Sequence, residues 1–422
     1  MYRCAPRPMM IVLLAVLALV AAACSGTDDG ASVREIGDGS ESVSASGSAS
    51  ASGSASASGS ASASGSASAP AAGTGSASGT GSATGSASAT GSASASASAP
   101  SEAGSVSTPG DGGYEYASNV ESHRMLVADI CGIGDLLNAG DFAAVEDIYR
   151  NGENSVKSDG SIRTIGGFAA RYDRSHGLDA YYGTSAPLDE FVTAALQGTG
   201  MFAGQSDAVR AQGAEKGIQN QIMVAWTIHE FNAALAKAAD GNFDVASGAV
   251  HNWDEGWAFF HGAEPACAPY ATGNKRAANF GTVGTDGETA QANEIILAAM
   301  ISGRDALLNS DAAGAGAAAS EAVRGLAITY SQAAIRYASL IEGDLAGGND
   351  AKAKEHQAEG LAFWRVVEAY MVPAGADADA MDAIFNLDNP PGANGFGDEV
   401  RAALEPAWDA LGIAASDIGS LQ

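Results

Sequence analysis

The residues best suited to chemistry lie in one short segment, in which a histidine and two carboxylates recur at helical spacing. Asp254 and Glu255 follow His251 at positions i+3 and i+4, so a helix would place all three on one face. An imidazole with two carboxylates is a set of nitrogen and oxygen donors suited to iron, manganese or zinc. Trp253 and Trp257 fall on the opposite face. The segment therefore predicts a metal-binding face, although the same pattern is also typical of a surface helix.

A related segment occurs 104 residues later in the chain. Glu255 begins the sequence EGWAFF, and Glu359 begins the sequence EGLAFW. Glu355 occupies the position equivalent to His251. Because duplicated helical hairpins place equivalent positions around a common centre, we expect Glu359 to join the metal ligands. The alternative is a duplication that serves only to build a structural bundle.

A second polar group lies in residues 151–187, a Gly-rich region without a clear helical or strand period. It contains Arg171 and Arg174, followed by Tyr181 and Tyr182. Phenolate oxygen is a ligand that ferric iron favours, and arginine can hold an anion beside a metal. The region predicts two tyrosine ligands and an anion-binding arginine pair. The alternative is an ordered loop that is held by hydrogen bonds and packed by its tyrosines.

An enzymatic function is a second interpretation, with Glu255 as the general base of a metal-dependent hydrolase. His229 and Glu230 resemble the start of the zinc-protease helix motif, but Ala233 stands where that motif needs a second histidine. No serine or cysteine nucleophile motif is visible. A surface module that only contacts a partner is a third interpretation. We therefore predict a binding protein without catalytic residues.

The start of the chain has the pattern of a lipoprotein signal peptide. Arg3 and Arg7 precede an apolar run at residues 9–20, and three alanines lead directly to Cys24. The alternatives are an ordinary cleaved signal peptide and an uncleaved anchor, but the run is short for a membrane-spanning helix, which needs ~20 residues. We therefore predict a signal peptide at residues 1–23 and a lipid on Cys24 that attaches the protein to the outside of the cell membrane.

The next part of the chain is a low-complexity linker. Residues 44–100 are Ser, Ala, Gly, Thr and Pro only, so they carry no charge and nothing large enough to bury. We predict a disordered linker over residues 24–112 with a reach of about 50 Å. The remaining residues, 113–422, form the predicted metal-binding domain.

Charge and cysteine content restrict the partners and the compartment. The net charge of −28 excludes nucleic-acid binding, because phosphate recognition needs an excess of Lys and Arg. The same charge would help to draw in a cation. Cys131 and Cys267 remain in the folded part, and outside the cell such a pair is a candidate disulfide.

Apolar residues at helical spacing run through most of the folded part, and Gly-rich or Pro-rich turns separate them. This pattern predicts an all-α fold, a duplicated helical-hairpin bundle with a long ordered loop. Residues 151–187 form this loop or, alternatively, several short pieces. The predicted helical stretches are residues 206–239, 242–262, 289–308, 318–345, 351–371, 377–387 and 397–411.

Three motifs carry a resemblance to a known family: DIYRNGENS at residues 147–155, GFA at 167–169 and WDEGWAF at 253–259. They resemble the algal iron-assimilating, low-iron-inducible periplasmic proteins, a group related to phytotransferrins. The resemblance implies an extracytoplasmic protein that captures ferric iron with carbonate as a synergistic anion. It also implies delivery to an uptake system such as a membrane iron permease or reductase. The three alanines followed by Cys24 form a lipoprotein signal of bacterial type, and this signal departs from the algal setting.

Overall fold

The computed structural model describes residues 108–172 and 174–422, and all regular structure in them is helical. These ranges contain no β-strand, only three isolated bridges. The predicted all-α fold is confirmed. The predicted signal peptide, Cys24 and most of the predicted linker lie outside the described residues.

The helices follow one another with short connections. The first half contains α1 (Glu121–Arg124), α2 (Leu126–Asn138), α3 (Phe142–Asn151), α4 (Ile165–Ala169), α5 (Leu178–Tyr182), α6 (Pro187–Gln197), α7 (Asp207–Lys216) and α8 (Met223–Ala239). The second half contains α9 (Ala249–Phe260), α10 (Pro269–Phe280), α11 (Gln291–Leu308), α12 (Ala312–Ala346), α13 (Asp350–Met371), α14 (Ala378–Phe385), α15 (Gly397–Leu411) and α16 (Ala415–Ile418).

Two helical hairpins form the centre of the fold, as the internal repeat predicts. Helix α8 packs on α9, and α12 packs on α13. Each hairpin has a buried glycine at the equivalent place. A Cβ on Gly256 would lie 2.7 Å from a ring carbon of Phe231, and one on Gly360 would lie 2.0 Å from a ring carbon of Phe385. Glycine is therefore required at both positions because an aromatic ring occupies the space of a side chain.

Helix α7 continues into α8 through one π-helical turn at Gly217–Ile222. Asn220 in this turn is fully buried, and its side-chain oxygen accepts hydrogen bonds from Thr272 and Tyr330. Such turns often occur at functional sites, because they redirect the following side chains. The π turn thus precedes the helix that carries Glu230.

Residues 151–187 form several short pieces, one of the two forms that the sequence predicts for this region. They contain α4 and α5, and one bridge pairs Val156 with Ile162. The buried carboxylate of Asp129 accepts hydrogen bonds from the backbone of Glu153 and Asn154. This carboxylate ties the start of the region to α2.

The N-terminal segment of the described chain packs on the helices. Thr108 donates a hydrogen bond to the carbonyl of Ser118, and Asp111 forms an ion pair of 2.7 Å with Arg124. A disulfide joins Cys131 of α2 to Cys267. Within residues 108–172 and 174–422, no helix has the length and hydropathy to cross a membrane.

Candidate metal centre

His251 and Glu255 meet on one face of α9, at the spacing that the sequence indicates. Nε2 of His251 lies 3.1 Å from Oε1 of Glu255. The Glu255 side chain is only 3 % exposed, whereas His251 is partly exposed. This face is therefore part of the protein interior and not a solvated surface.

Two further helices complete the group around Glu255. His123 of α1 places Nδ1 3.1 Å from Oε1 of Glu255. Glu230 of α8 shares a hydrogen bond with the carboxyl of Glu255, and Nδ2 of Asn252 donates to Glu230 over 2.5 Å. We call His123, Glu230, His251 and Glu255 the His/Glu group. Three helices thus bring two imidazoles and two carboxylates together.

His123 is the most unusual member of this group. It is 2 % exposed, and neither ring nitrogen forms a hydrogen bond of good geometry with any described residue. Its ring packs near Phe168 and Phe259, with centroid distances of 6.1 and 5.7 Å. Burial lowers the pKa of His123 to about 3, so the ring is neutral. A neutral imidazole with an available lone pair is the form of histidine that binds metals.

The two carboxyls of the group differ in charge. Burial and the neighbouring Glu255 raise the pKa of Glu230 well above its ordinary value. Burial also opposes ionisation of Glu255, but His123, His251 and the hydrogen bond with Glu230 outweigh it and lower its pKa. Glu230 therefore holds the proton of the pair and Glu255 the negative charge.

The structure gives Asp254, the third predicted ligand on α9, a different set of partners. Its carboxylate accepts hydrogen bonds from Tyr114 Oη at 2.6 Å, from Ser118 Oγ at 2.7 Å, and from the backbone N–H groups of Ala117 and Ser118. Asp254 therefore anchors the N-terminal segment that leads into α1. The same Ser118 hydroxyl lies 3.0 Å from Nδ1 of His251.

Tyr181 and Tyr182 lie together and have their hydrogen-bond partner outside the His/Glu group. Both phenols donate to one carboxylate, that of Glu368, over 2.9 and 2.6 Å. The guanidinium of Arg365 stacks on the ring of Tyr182 at 4.1 Å. Burial, with the charge of Glu368, raises the pKa of Tyr181. No hydrogen bond or ion pair within the described chain joins either tyrosine to His251 or Glu255.

Glu359 lies on α13 and belongs neither to the His/Glu group nor to the tyrosine pair. It is buried, and the charges of Lys216, Lys352 and Glu215 act on its carboxyl. Burial raises its pKa to about 6. The structure therefore does not bring Glu359 to the His/Glu group, and cations rather than histidines face its carboxyl.

Of the predicted anion-binding pair, Arg171 lies beside the His/Glu group and Arg174 lies beside two other histidines. The Arg171 guanidinium stacks on Phe168 and Trp226 at 5.1 and 5.2 Å, and its charge lowers the pKa of Glu230. Burial lowers the pKa of His176 and of His229, and the charge of Arg174 lowers both further. Positive charge thus lies next to the candidate metal ligands.

The sequence patterns did not identify three residues of this region as site residues: His123, Glu230 and Arg163. Burial lowers the pKa of Arg163, and the charges of Glu255 and Glu230 partly offset this effect. Glu230 had a usable signal, because it is a carboxylate between Ile228 and Phe231 in an apolar stripe. His123 had none, since its neighbours in the chain show no metal-binding pattern.

The His/Glu group has the donors of a metal site in a closed arrangement. The two donor–donor distances of 3.1 Å match adjacent ligands of an octahedral ion with bonds of about 2.1 Å, which are about 3.0 Å apart. They also match hydrogen bonds. Among the residues that the structure describes, no three His, Cys, Asp or Glu side chains are already arranged around a common point as metal ligands. An ion would therefore have to replace the contacts within the group.

Comparison with known proteins gives one result. A sequence model of the family described as Fea1, low iron-inducible periplasmic protein, matches residues 84–422. No curated protein and no solved structure matches the chain.

Proposed function

The chain belongs to the family of low iron-inducible periplasmic proteins, and on this basis we propose that it captures ferric iron outside the cytoplasm for uptake. The His/Glu group is the proposed iron site. One observation carries this assignment: both ring nitrogens of the buried His123 lack a hydrogen-bond partner while the ring faces the Glu255 carboxylate. Unpaired buried polar atoms are costly, and a bound ion would supply a partner for one of these two nitrogens.

The donor set suits the proposed cargo. Carboxylate oxygens of Glu230 and Glu255 are hard ligands, and His123 and His251 add imidazole nitrogens. Glu230 would give up its proton when iron binds, because metal ligands must be deprotonated. Iron capture of this kind is binding and needs no catalytic residue.

Carbonate is the proposed companion anion. Arg171 places positive charge beside the His/Glu group, and Arg174 places it beside His176. Nδ1 of His176 accepts a hydrogen bond from the backbone of Leu178, so Nε2 carries the proton, and this buried atom has no partner. A donor and two cations in this region support an anion there.

The proposed delivery route uses the N-terminal part of the chain. A lipid on Cys24 would hold the protein at the outer face of the membrane, and the linker would let the iron-binding domain reach a permease or reductase. Replacement of Cys24 by alanine is expected to release the protein from the membrane fraction. Retention of the Ala variant in that fraction would contradict the lipid anchor.

The iron site is tested by titrating the full-length protein with a weak ferric chelate, with and without bicarbonate, and measuring bound iron after desalting. We expect one iron per chain, with tighter binding in bicarbonate. His123→Ala should lose this iron, whereas the matched control His356→Ala, on α13, should keep it.

The visible spectrum separates the His/Glu group from the tyrosine pair. Iron at the His/Glu group should give no intense tyrosinate-to-iron band. A stoichiometric band that disappears in Tyr181→Phe and Tyr182→Phe would move the iron to the tyrosines and overturn this assignment. Failure of the wild-type protein to retain any iron would overturn the proposed function itself.

A further inference from the structure

Four basic side chains from three helices lie together beside the second hairpin, in a chain with a net charge of −28. They are Lys216 at the end of α7, Lys275 and Arg276 on α10, and Arg336 on α12. The guanidinium carbons of the two arginines lie 5.5 and 5.2 Å from the centre of one ring, that of Tyr337. The charges of Lys216 and Arg276 both lower the pKa of Lys275. We call these four residues the basic cluster.

Most of this positive charge has no carboxylate partner. Arg276 is 6 % exposed, and its Nε atom is buried without a hydrogen bond. In the described parts of the chain, no ion pair joins Arg276, Arg336 or Lys275 to a carboxylate. Lys216 pairs with Glu215 at 2.8 Å. A buried N–H donor without an acceptor is costly, because it has lost water and gained no equivalent partner.

The basic side chains also repel one another. Although Lys275 is exposed, partial loss of water around it, and then the charge of Lys216, lowers its pKa. Burial, and then the charge of Arg276, lowers the pKa of Arg336. Glu215 and Glu359 are the acids whose charges act on the cluster, so cations outnumber anions there. Groups of like charge held together in this way are typical of a site for the opposite charge.

We propose that the basic cluster binds a small oxyanion with several charged oxygens, of the phosphate or polycarboxylate class. Guanidinium groups pair with such anions through two parallel hydrogen bonds, and the lysines add point charges. The Nε atom of Arg276 is the donor that would gain its missing acceptor. Glu359 opposes the anion, because its carboxylate lies within reach of the same cations. The proposal is independent of the iron site.

Isothermal titration calorimetry of the iron-free full-length protein with inorganic phosphate and with citrate, at low ionic strength, tests the proposal. We expect saturable binding of one anion per chain. Arg276→Gln and Arg336→Gln should each weaken it at least tenfold. Glu359→Gln should strengthen it severalfold, because one repelling charge is removed. The control Arg324→Gln lies on the same helix α12, but Arg324 pairs with Glu321 and Asp417, so this variant should bind within twofold of the wild type.

Three results would overturn the proposal: no heat of binding with either anion, unchanged affinity in Arg336→Gln, or an equal loss in Arg324→Gln. If Arg276→Gln does not fold, the affinity of Arg336→Gln tests the proposal, because Arg336 is partly exposed and its replacement disturbs the core less. Saturable binding of phosphate alone or of citrate alone supports the site and identifies the anion class. Arg336→Gln should retain iron as the wild type does, so failure here is distinct from failure of the iron site.

Discussion

The two helical hairpins, α8–α9 and α12–α13, share a sequence motif but surround their equivalent glutamates with opposite kinds of groups. Glu255 contacts two histidines and a second carboxyl. Glu359 lies beside Lys216 and Lys352. The first arrangement suits a cation and the second does not. A repeated motif can therefore reproduce the backbone without reproducing the chemistry, because residues from other helices complete each site.

The shared part of the two hairpins is their packing. Gly256 and Gly360 each allow an aromatic ring to approach the helix backbone, and the residues after them are apolar in both copies. Asp254 has no counterpart, since Ala358 stands at its equivalent position. The first hairpin alone thus anchors an N-terminal segment, and that segment supplies His123.

The largest expected effect is a loss of iron affinity on replacement of Glu255 but not on replacement of Glu359. Glu255→Gln removes the central carboxylate of the His/Glu group and should weaken ferric binding at least about a thousandfold, or about 4 kcal/mol. Glu359→Gln, the matched change in the second hairpin, should leave it within twofold. Competition with a chelator of known affinity measures both. Equal losses in the two variants would show that both hairpins contribute to one site.

The next effect concerns the anchor that exists only in the first hairpin. Asp254→Asn should destabilise the protein by about 3 kcal/mol, because buried donors on Tyr114 and Ser118 lose a charged acceptor. Asp305→Asn removes an exposed carboxylate and should cost under about 1 kcal/mol. Urea unfolding followed by circular dichroism gives both values. A cost for Asp254→Asn as small as that of the control would contradict the anchoring role.

The shared packing predicts parallel costs for the two glycines. Gly360→Ala should destabilise by about 2 to 3 kcal/mol and Gly256→Ala by less, because the contact with Phe385 is closer than that with Phe231. Gly343→Ala on α12 is the control, since a Cβ there meets no atom within 4 Å. It should be neutral or stabilising by up to about 1 kcal/mol. If all three variants behaved alike, the close approach in both hairpins would be disproved.

The smallest expected effect is a pH dependence of the second hairpin. Burial raises the pKa of Glu359 from its ordinary value of 4.5 to about 6 in the folded state. Its contribution to stability is therefore full below pH 4.5 and is lost as the pH rises through 6. Glu359→Gln removes this loss, so its stability relative to the wild type should rise by about 2 kcal/mol between pH 4.5 and 7.

Thermal or urea unfolding at several pH values measures this difference. Glu405→Gln, an exposed site on α15, is the control and should run parallel to the wild type at every pH. A constant difference between Glu359→Gln and the wild type across the same range would show that Glu359 titrates normally in the folded protein.

The sequence by itself determined most of the helices. The predicted stretch 289–308 corresponds to Gln291–Leu308, and 351–371 corresponds to Asp350–Met371. It also determined that His251 and Glu255 share a face, because residues four apart on a helix are always neighbours. Helix α10 was not predicted, since its apolar residues are sparse, and it supplies Arg276 to the basic cluster.

Only the tertiary structure decided which groups complete each site. His123 reaches Glu255 across 132 positions of chain, and Tyr182 reaches Glu368 across 186. Such contacts depend on how whole helices pack, and helical spacing carries no information about packing partners. For the same reason Glu359, which the repeat matched to Glu255, lies beside Lys216 and Lys352 instead of histidines. Local periodicity determines the helix face on which a side chain lies. The packing of whole helices determines which other residues contact that face.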